Sequence, residues 1–241
     1  MARKRIDSLL LARGLAETRE KAKALVMAGA VLADERVVPK PGALVAEDVN
    51  IRLVPGPEFV SRGGHKLAYA LEEFGVDVGG AVAVDIGAST GGFTDCLLKR
   101  GAERVYAVDV GYGQLDYRLR QDPRVVVMER VNARYPFELP EATDLATVDV
   151  SFISVKKVLP AVARLVKERS KLIVLIKPQF EAGREEVGRG GLVKDPLVHA
   201  RVLGRFVAWA VDQGFRLRGL AASPLLGASG NKEFFVLLEK S

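Results

Sequence analysis

The most suggestive residue in the chain is a lysine at the end of an apolar strand. Residues 171–180 read KLIVLIKPQF, so five apolar residues run directly into Lys177, and Pro178 follows. A lysine at a strand end is usually a solvated surface charge. A lysine beside a cofactor can instead act as a general base, provided that its surroundings lower its pKa from about 10.4. Lys177 is therefore a candidate base. Whether it is a base or a solvated surface charge depends on the residues that the fold places around it.

A glycine-rich turn supplies a candidate ligand site. The segment VDIGASTGGFTD follows a predicted strand over residues 81–87 and opens a predicted helix. Its spacing is neither G-x-G-x-x-G nor a P-loop, so both phosphate-binding fingerprints are missing. Asp85 ends this strand and Asp109 ends the next, where an acidic residue can bind the hydroxyls of a ribose. The pattern favours a nucleoside without phosphates, such as S-adenosylmethionine, over a purely structural turn with structural aspartates.

The order of the predicted elements places these residues on one sheet. Apolar strands alternate with helices, which indicates a parallel sheet covered on both faces. The last two strands, 215–223 and 232–240, have no helix between them, so one of them is expected to run antiparallel. Predicted strands are 81–87, 104–110, 124–130, 145–152 and 171–178, and predicted helices are 92–100, 155–169 and 195–213. Asp149 and Lys177 would then lie at the same carboxyl edge.

Composition limits the class of protein. The chain has 241 residues and a net charge of +6, with one cysteine, Cys96, so no internal disulfide can form and a reducing, cytoplasmic setting is expected. The longest apolar run, 206–211, is far shorter than the roughly 20 residues of a membrane span. The basic N-terminus lacks the apolar stretch of a signal peptide. His65, His199 and Cys96 cannot assemble a zinc site, so no metal is expected.

The first 57 residues read as a separate small domain. Two short helices, closed by Gly14 and Gly29, precede short strand patterns, and residues 1–23 carry seven basic side chains against three acidic ones. This concentration of positive charge indicates a polyanionic partner. We expect a small α+β domain over 1–57, a linker over 58–64 and an α/β domain over 65–241.

Several motifs together resemble one known family. VSRGGHKL, DIGASTGGFTD, DVGYGQLDYRLRQDPRV, ERVNAR, DVSFISV, LIKPQFE and GNKEFF are similar to the TlyA (hemolysin A-like) rRNA methyltransferases. The larger segment also resembles the FtsJ group of ribose 2′-O-methyltransferases, and residues 1–55 resemble an S-four type RNA-binding module. The resemblance implies a Rossmann-like S-adenosylmethionine-dependent methyltransferase with a mostly parallel seven-stranded sheet. Longer members of the family carry a C-terminal extension after the last strand. The chain resembles the shorter form without it, which is associated with cytidine methylation in large-subunit rRNA.

The resemblance also implies roles for individual residues. The catalytic tetrad Lys-Asp-Lys-Glu of the family matches Lys66, Asp149, Lys177 and Glu233. We expect Lys177 to take the proton of a ribose 2′-hydroxyl, Lys66 to assist it, and the two acids to orient the lysines. The cofactor-binding candidates are Asp85, Gly87, Ala88, Ser89, Gly91, Gly92, Phe93, Asp109, Asn132 and Asp149. The RNA-binding candidates are Arg3, Arg5, Arg13, Arg19, Lys23 and Arg62.

Two other functions remain open at this point. A degenerate methyltransferase fold could serve as a non-catalytic RNA-binding assembly factor, and undetectable binding of S-adenosylmethionine would favour it. A pore-forming hemolysin is suggested only by the family name, and the lack of a spanning segment argues against it. The charged, glycine-rich segment 181–191 is expected to be a mobile loop that orders on substrate binding.

Overall fold

The computed structural model describes residues 3–54 and 56–241. The chain forms two compact units, residues 1–58 and 59–241. The linker predicted over 58–64 is too long, because Ser61 caps a helix that begins at Arg62 and so includes residues 62–64. Among the described residues, no helix is both long and apolar enough to cross a bilayer.

The N-terminal unit is a small α+β domain. Its core is formed by apolar side chains from both helices and the short strands, including Ile6, Leu10, Val26 and Val31. Strand β1 was not predicted; it pairs antiparallel with β4, while β2 pairs with β3 and β5. The elements are β1 (Arg3–Arg5), α1 (Ile6–Ala12), α2 (Arg19–Met27), β2 (Val31–Ala33), β3 (Arg36–Val37), β4 (Leu44–Ala46) and β5 (Ile51–Leu53).

The C-terminal unit is built on a seven-stranded sheet in the order β11-β12-β10-β9-β6-β7-β8. Strand β12 runs antiparallel to both of its neighbours, β10 and β11, which confirms the prediction that one of the last two strands reverses. The elements are α3 (Arg62–Glu73), β6 (Val82–Ile86), α4 (Gly92–Lys99), β7 (Arg104–Asp109), α5 (Tyr117–Arg120), β8 (Val125–Glu129), β9 (Thr143–Val148), α6 (Leu159–Val162), β10 (Val166–Ile176), α7 (Pro178–Glu181), α8 (Pro196–Asp212), β11 (Phe215–Ala222) and β12 (Phe234–Lys240).

Both faces of this sheet are covered, which explains why its central strands are apolar at every position. In β10, Leu172 and Val174 pack in the core that contains α6 and α8. Ile173 and Leu175 pack on the other face, in the core that contains α3 and α4. Successive side chains of a strand point to opposite faces, so a strand buried on both faces must be apolar throughout.

The helix predicted over 155–169 is wrong. A 3₁₀ turn at Val155–Lys157 and the four-residue α6 are followed by β10, which begins at Val166. The first residue of β10, Val166, pairs with β9, and this pairing resumes at Lys171 after a shift in register. Arg169, within the shifted segment, has φ +62°. Strand pairing therefore overrides the helical spacing of the apolar residues.

Candidate active site

Two neighbouring cavities lie at the carboxyl ends of the central strands. The first has a volume of about 440 Å³ and is lined by residues that follow β6, β7, β8 and β9. The second, of about 290 Å³, is lined by the start of α3, the glycine turn, Lys177 and Glu233. Gly87, Ser89 and Asp149 line both. The two cavities thus meet along the turn after β6, a position where open α/β sheets bind ligands.

Gly87 allows this junction to form. Its φ is +85°, and a Cβ atom there would lie 2.4 Å from the carbonyl oxygen of Asp149. Any other residue would be strained and would push apart the turns that follow β6 and β9. Ser89, two residues further along the same turn, also has a positive φ, of 50°, and its backbone N–H donates to Asp109.

Asp109 is fixed at the wall of the first cavity. Its Oδ2 accepts from the backbone N–H of Ser89 (2.7 Å), and its Oδ1 accepts from that of Gly111 (2.7 Å). Each oxygen keeps acceptor capacity, because a carboxylate offers about four lone-pair sites. Asn132 lines the same cavity, and its Oδ1 accepts from the backbone N–H of Arg134 (3.1 Å). Both side chains are thereby held in place for a ligand.

Most predicted cofactor residues line a cavity, and two do not. Ala88, Gly92 and Phe93 line the second cavity. Asp85 is fully buried, with its carboxylate accepting from Thr94 Oγ1 (2.7 Å) and Thr147 Oγ1 (2.9 Å). It lines neither cavity, so the structure does not support its predicted contact with the cofactor. Gly91 also lines neither; its φ is +93°, and a Cβ atom there would collide with Leu119.

Burial changes the acidity of Asp85. Removal from water, the largest effect, raises its pKa to about 6, against the opposing effect of the two threonine hydroxyls, while the charge of Asp149 raises it further. The role that its contacts support is structural: Asp85 joins α4 to β9 beneath the cavities.

The tetrad residues come together as two separate ion pairs. Lys66 Nζ lies 2.5 Å from Glu233 Oε2, and these side chains are only 10% and 3% exposed. Lys177 Nζ lies 2.6 Å from Asp149 Oδ1, with 12% and 23% exposure. The sequence resemblance grouped all four, but it did not indicate which acid each lysine contacts.

Lys177 has a second contact that was not predicted. Its Nζ donates to Ser151 Oγ (2.8 Å), whereas Asp149 Oδ1, despite the short distance, accepts no hydrogen bond with suitable angles from any described residue. The Asp149 contact is therefore mainly electrostatic, and Ser151 fixes the direction of the amine. Its position in the DVSF motif, two residues after Asp149, was a signal that could have identified it.

Other cavity residues were also missed by the sequence interpretation. Ser61 lines the second cavity, and Gln114, Arg134 and Phe152 line the first. Phe152 is 92% exposed and has φ +64°, an unusual backbone conformation for a bulky residue that often marks a functional site.

The predicted RNA-binding residues differ in their surroundings. The guanidinium of Arg5 bonds to the buried Asp7, and that of Arg13 donates to the carbonyl oxygens of Val49 and Glu47, so both support the N-terminal unit. Arg19 lies 3.7 Å from Asp7 and is 52% exposed. Arg3 and Lys23 are exposed, and Arg62 lines the second cavity. No group of three or more His, Cys, Asp or Glu that could hold a metal occurs in the described part of the chain.

Models of two known families match most of the chain. Residues 59–240 match the family model of FtsJ-like methyltransferases. The chain belongs to this family. Residues 4–51 match the S4 domain, so the FtsJ-like unit follows an S4 domain here. The protein is an enzyme of the methyltransferase class with the Rossmann-like fold that the sequence predicts.

The similarity to individual proteins extends along the whole chain. YqxC of Bacillus subtilis is 50% identical over 240 residues, which cover 98% of this chain and 85% of YqxC. The 16S/23S rRNA (cytidine-2′-O)-methyltransferase TlyA of Mycobacterium tuberculosis is 46% identical over 243 residues, covering 99% of this chain and 91% of TlyA. A Streptococcus thermophilus structure that carries a hemolysin name is 45% identical, with a TM-score of 0.76 over 100% of this chain and 90% of its own.

Proposed function

We propose that this FtsJ-like enzyme transfers the methyl group of S-adenosylmethionine to the ribose 2′-hydroxyl of a cytidine in ribosomal RNA. The observation that carries the proposal is the junction of the two cavities at Gly87 and Asp149, with the amine of Lys177 on the wall of the second. A nucleoside cofactor in one cavity and a ribose in the other would meet where the amine can reach the hydroxyl.

The first cavity suits the nucleoside part of the cofactor. Its volume lies in the usual range for small-molecule sites, roughly 300–1,000 Å³. Asp109 can accept from ribose hydroxyls, Asn132 can bond to a base edge, and Val108, Val110 and Val131 offer apolar contacts to the base. When bound, the cofactor supplies an electrophilic methyl group on a sulfonium.

The tetrad can prepare the hydroxyl for transfer. Lys177 Nζ, after releasing its own proton to solvent, is proposed to accept the 2′-hydroxyl proton, and the nearby Asp149 carboxylate stabilises the ammonium that results. Ser151 holds the direction of the amine. The Lys66–Glu233 pair also lines the second cavity and carries no net charge, which lowers the cost of its burial. Orientation of the oxygen toward the methyl group supplies the remaining advantage.

The N-terminal domain is the proposed RNA-positioning element. Basic side chains of this domain would contact phosphates, and such contacts set position without reading sequence. Arg3, Arg19 and Lys23 are our strongest candidates because they are exposed. The name of TlyA assigns both 16S and 23S rRNA to that relative; for this chain we favour the large subunit, acting in the cytoplasm.

Methylation of rRNA by purified protein tests the proposal. We expect label from methyl-tritiated S-adenosylmethionine to enter unmodified ribosomal subunits, and mass spectrometry of the nuclease digest to show 2′-O-methylcytidine. Asp109→Ala should weaken cofactor binding about 10-fold or more, since a charged hydrogen bond is lost. Asp212→Ala, an exposed change at the end of α8, is the matched control. Methylation of a base, or no detectable cofactor binding by calorimetry, would refute the proposal; the second result would favour a non-catalytic assembly factor.

A further inference from the structure

The loops that follow β9 and β10 are joined by three successive contacts. We call residues 149–154 the β9 loop; α7 follows Lys177 directly. Lys177 contacts Asp149 and Ser151 at one end of the β9 loop. One turn further along, the rings of Phe180 and Phe152 lie 5.2 Å apart. The order of contacts is the same along both segments, so the two loops are in register with each other.

The third contact is a carboxylate at the end of α7. Glu181 Oε2 accepts from Ser154 Oγ (2.7 Å), and its Oε1 accepts from the backbone N–H of Val155 (2.7 Å). Val155 begins the 3₁₀ turn that ends the β9 loop, so Glu181 satisfies a backbone donor at the start of that turn. One side chain from the loop that carries the proposed base thus fixes the far end of the loop that carries its acid.

The β9 loop needs such a support. Phe152 is held at φ +64°, a conformation that costs a non-glycine residue about 1–3 kcal/mol and persists only where the surroundings enforce it. Asp149 and Ser151 lie within three residues of that position. Loss of the Glu181 contacts would allow the loop to relax, and the relaxation would move the acid and the hydroxyl that hold Lys177.

We infer that Glu181 is a positioning residue for the Asp149–Lys177 pair: it holds the β9 loop through Ser154 and Val155 and does not touch substrate or cofactor. Glu181 lines neither cavity, which separates it from the tetrad. The inference rests on the proposed function, because it concerns the rate of the same transfer. The contacts require two correctly placed polar atoms, and they do not require a negative charge.

A pair of substitutions separates geometry from charge. Glu181→Ala removes both acceptors. Glu181→Gln keeps an acceptor for the Val155 N–H and can donate to Ser154 Oγ, whose hydroxyl can rotate. Glu103→Ala is the control: it also removes one acidic side chain, but from an exposed site at the amino end of β7, away from the cavities. For each full-length variant we would measure the cofactor dissociation constant, kcat and KM for ribosomal subunits, and the thermal midpoint.

The expected result is a loss confined to turnover. Glu181→Ala should lower kcat about 10- to 100-fold, since a displacement of about 1 Å in a reacting group has effects of that size. Its cofactor dissociation constant should stay within about twofold, because the cofactor cavity does not include Glu181. Glu181→Gln should recover most of the lost kcat, and Glu103→Ala should match the unmodified protein.

Several outcomes would overturn the inference while leaving the proposed function intact. One is an unchanged kcat for Glu181→Ala; another is an equal loss for Gln and Ala, which would indicate a role for the charge. If Glu181→Ala does not fold, Ser154→Ala removes one of the two contacts and should lower kcat about fivefold; an unchanged kcat would refute the inference. Inactive unmodified protein would instead count against the proposed function.

Discussion

The two lysine–carboxylate pairs use the same chemical groups in different surroundings. Lys66 and Glu233 are almost completely enclosed, whereas Asp149 is 23% exposed, lines both cavities and has Ser151 beside its lysine partner. Removing one partner of an enclosed pair leaves an uncompensated buried charge, and this cost grows with burial. This difference supports the proposal that the tetrad divides its work, with the Lys66–Glu233 pair maintaining the shape and neutrality of the site and the Lys177–Asp149 pair meeting the substrate.

The largest expected effect is on turnover at the open pair. Lys177→Ala should lower methyl transfer at least about 100-fold, the usual contribution of a general base. Its cofactor dissociation constant should change less than about twofold, because Lys177 does not line the first cavity. Calorimetry measures the dissociation constant, and transfer of labelled methyl measures turnover. A normal transfer rate for Lys177→Ala would contradict the proposal that the Lys177–Asp149 pair meets the substrate.

The enclosed pair should dominate stability. Lys66→Met leaves the Glu233 carboxylate buried without its partner and should lower the free energy of unfolding by about 3 kcal/mol or more. Lys177→Met should cost only about 1 kcal/mol, since Asp149 keeps contact with solvent. The chain has one tryptophan, Trp209 in α8, so its fluorescence during urea unfolding reports on the C-terminal unit. Equal losses for the two variants would show that burial does not distinguish the pairs.

A smaller effect should appear in the pH dependence of stability. Asp85 has a folded-state pKa of about 6, raised from 3.8 mainly by burial, so its contribution to stability is present below pH 3.8 and is lost as pH rises through about 6. The loss amounts to about 3 kcal/mol at most. Asp85→Asn can keep both threonine hydrogen bonds without ionising.

The matching measurement compares unfolding free energies of the unmodified protein and Asp85→Asn between pH 4 and pH 8. The unfolding free energy of Asp85→Asn should increase relative to that of the unmodified protein as pH rises. A difference that stays constant with pH would mean that Asp85 does not change its ionisation in this range.

Much of this architecture could be predicted from the sequence. The apolar run correctly predicted the strand that ends just before Lys177, and the absence of a helix between the last two strands correctly predicted that one of them reverses. Strand periodicity and the order of elements depend on local residue types, so they can be read from the chain. The short helices near Pro160 could not be, because pairing of Val166 and its successors with β9 overrides local helical spacing.

The details of the site depend on three-dimensional distances and lay beyond the sequence. Lys66 and Glu233 are separated by 167 positions in the chain, and nothing in the motifs shows that they pair with each other. Asp85 lies within β6, one residue before its end, and its carboxylate accepts hydrogen bonds from Thr94 and Thr147 instead of facing a cavity. Glu181 belongs to the same motif as Lys177, LIKPQFE, but nothing in the motif shows that its side chain contacts Ser154 and Val155.

The most direct test of the central claim is single-turnover methyl transfer by Lys177→Arg. An arginine can keep the ion pair with Asp149, but it stays protonated in proteins and cannot accept a proton. If Lys177 takes the proton of the 2′-hydroxyl, this variant should bind S-adenosylmethionine as the unmodified protein does and transfer methyl at about 1% of its rate or less, at every pH tested. Transfer at the unmodified rate would show that a fixed positive charge is sufficient there, and it would contradict the assignment of Lys177 as the base.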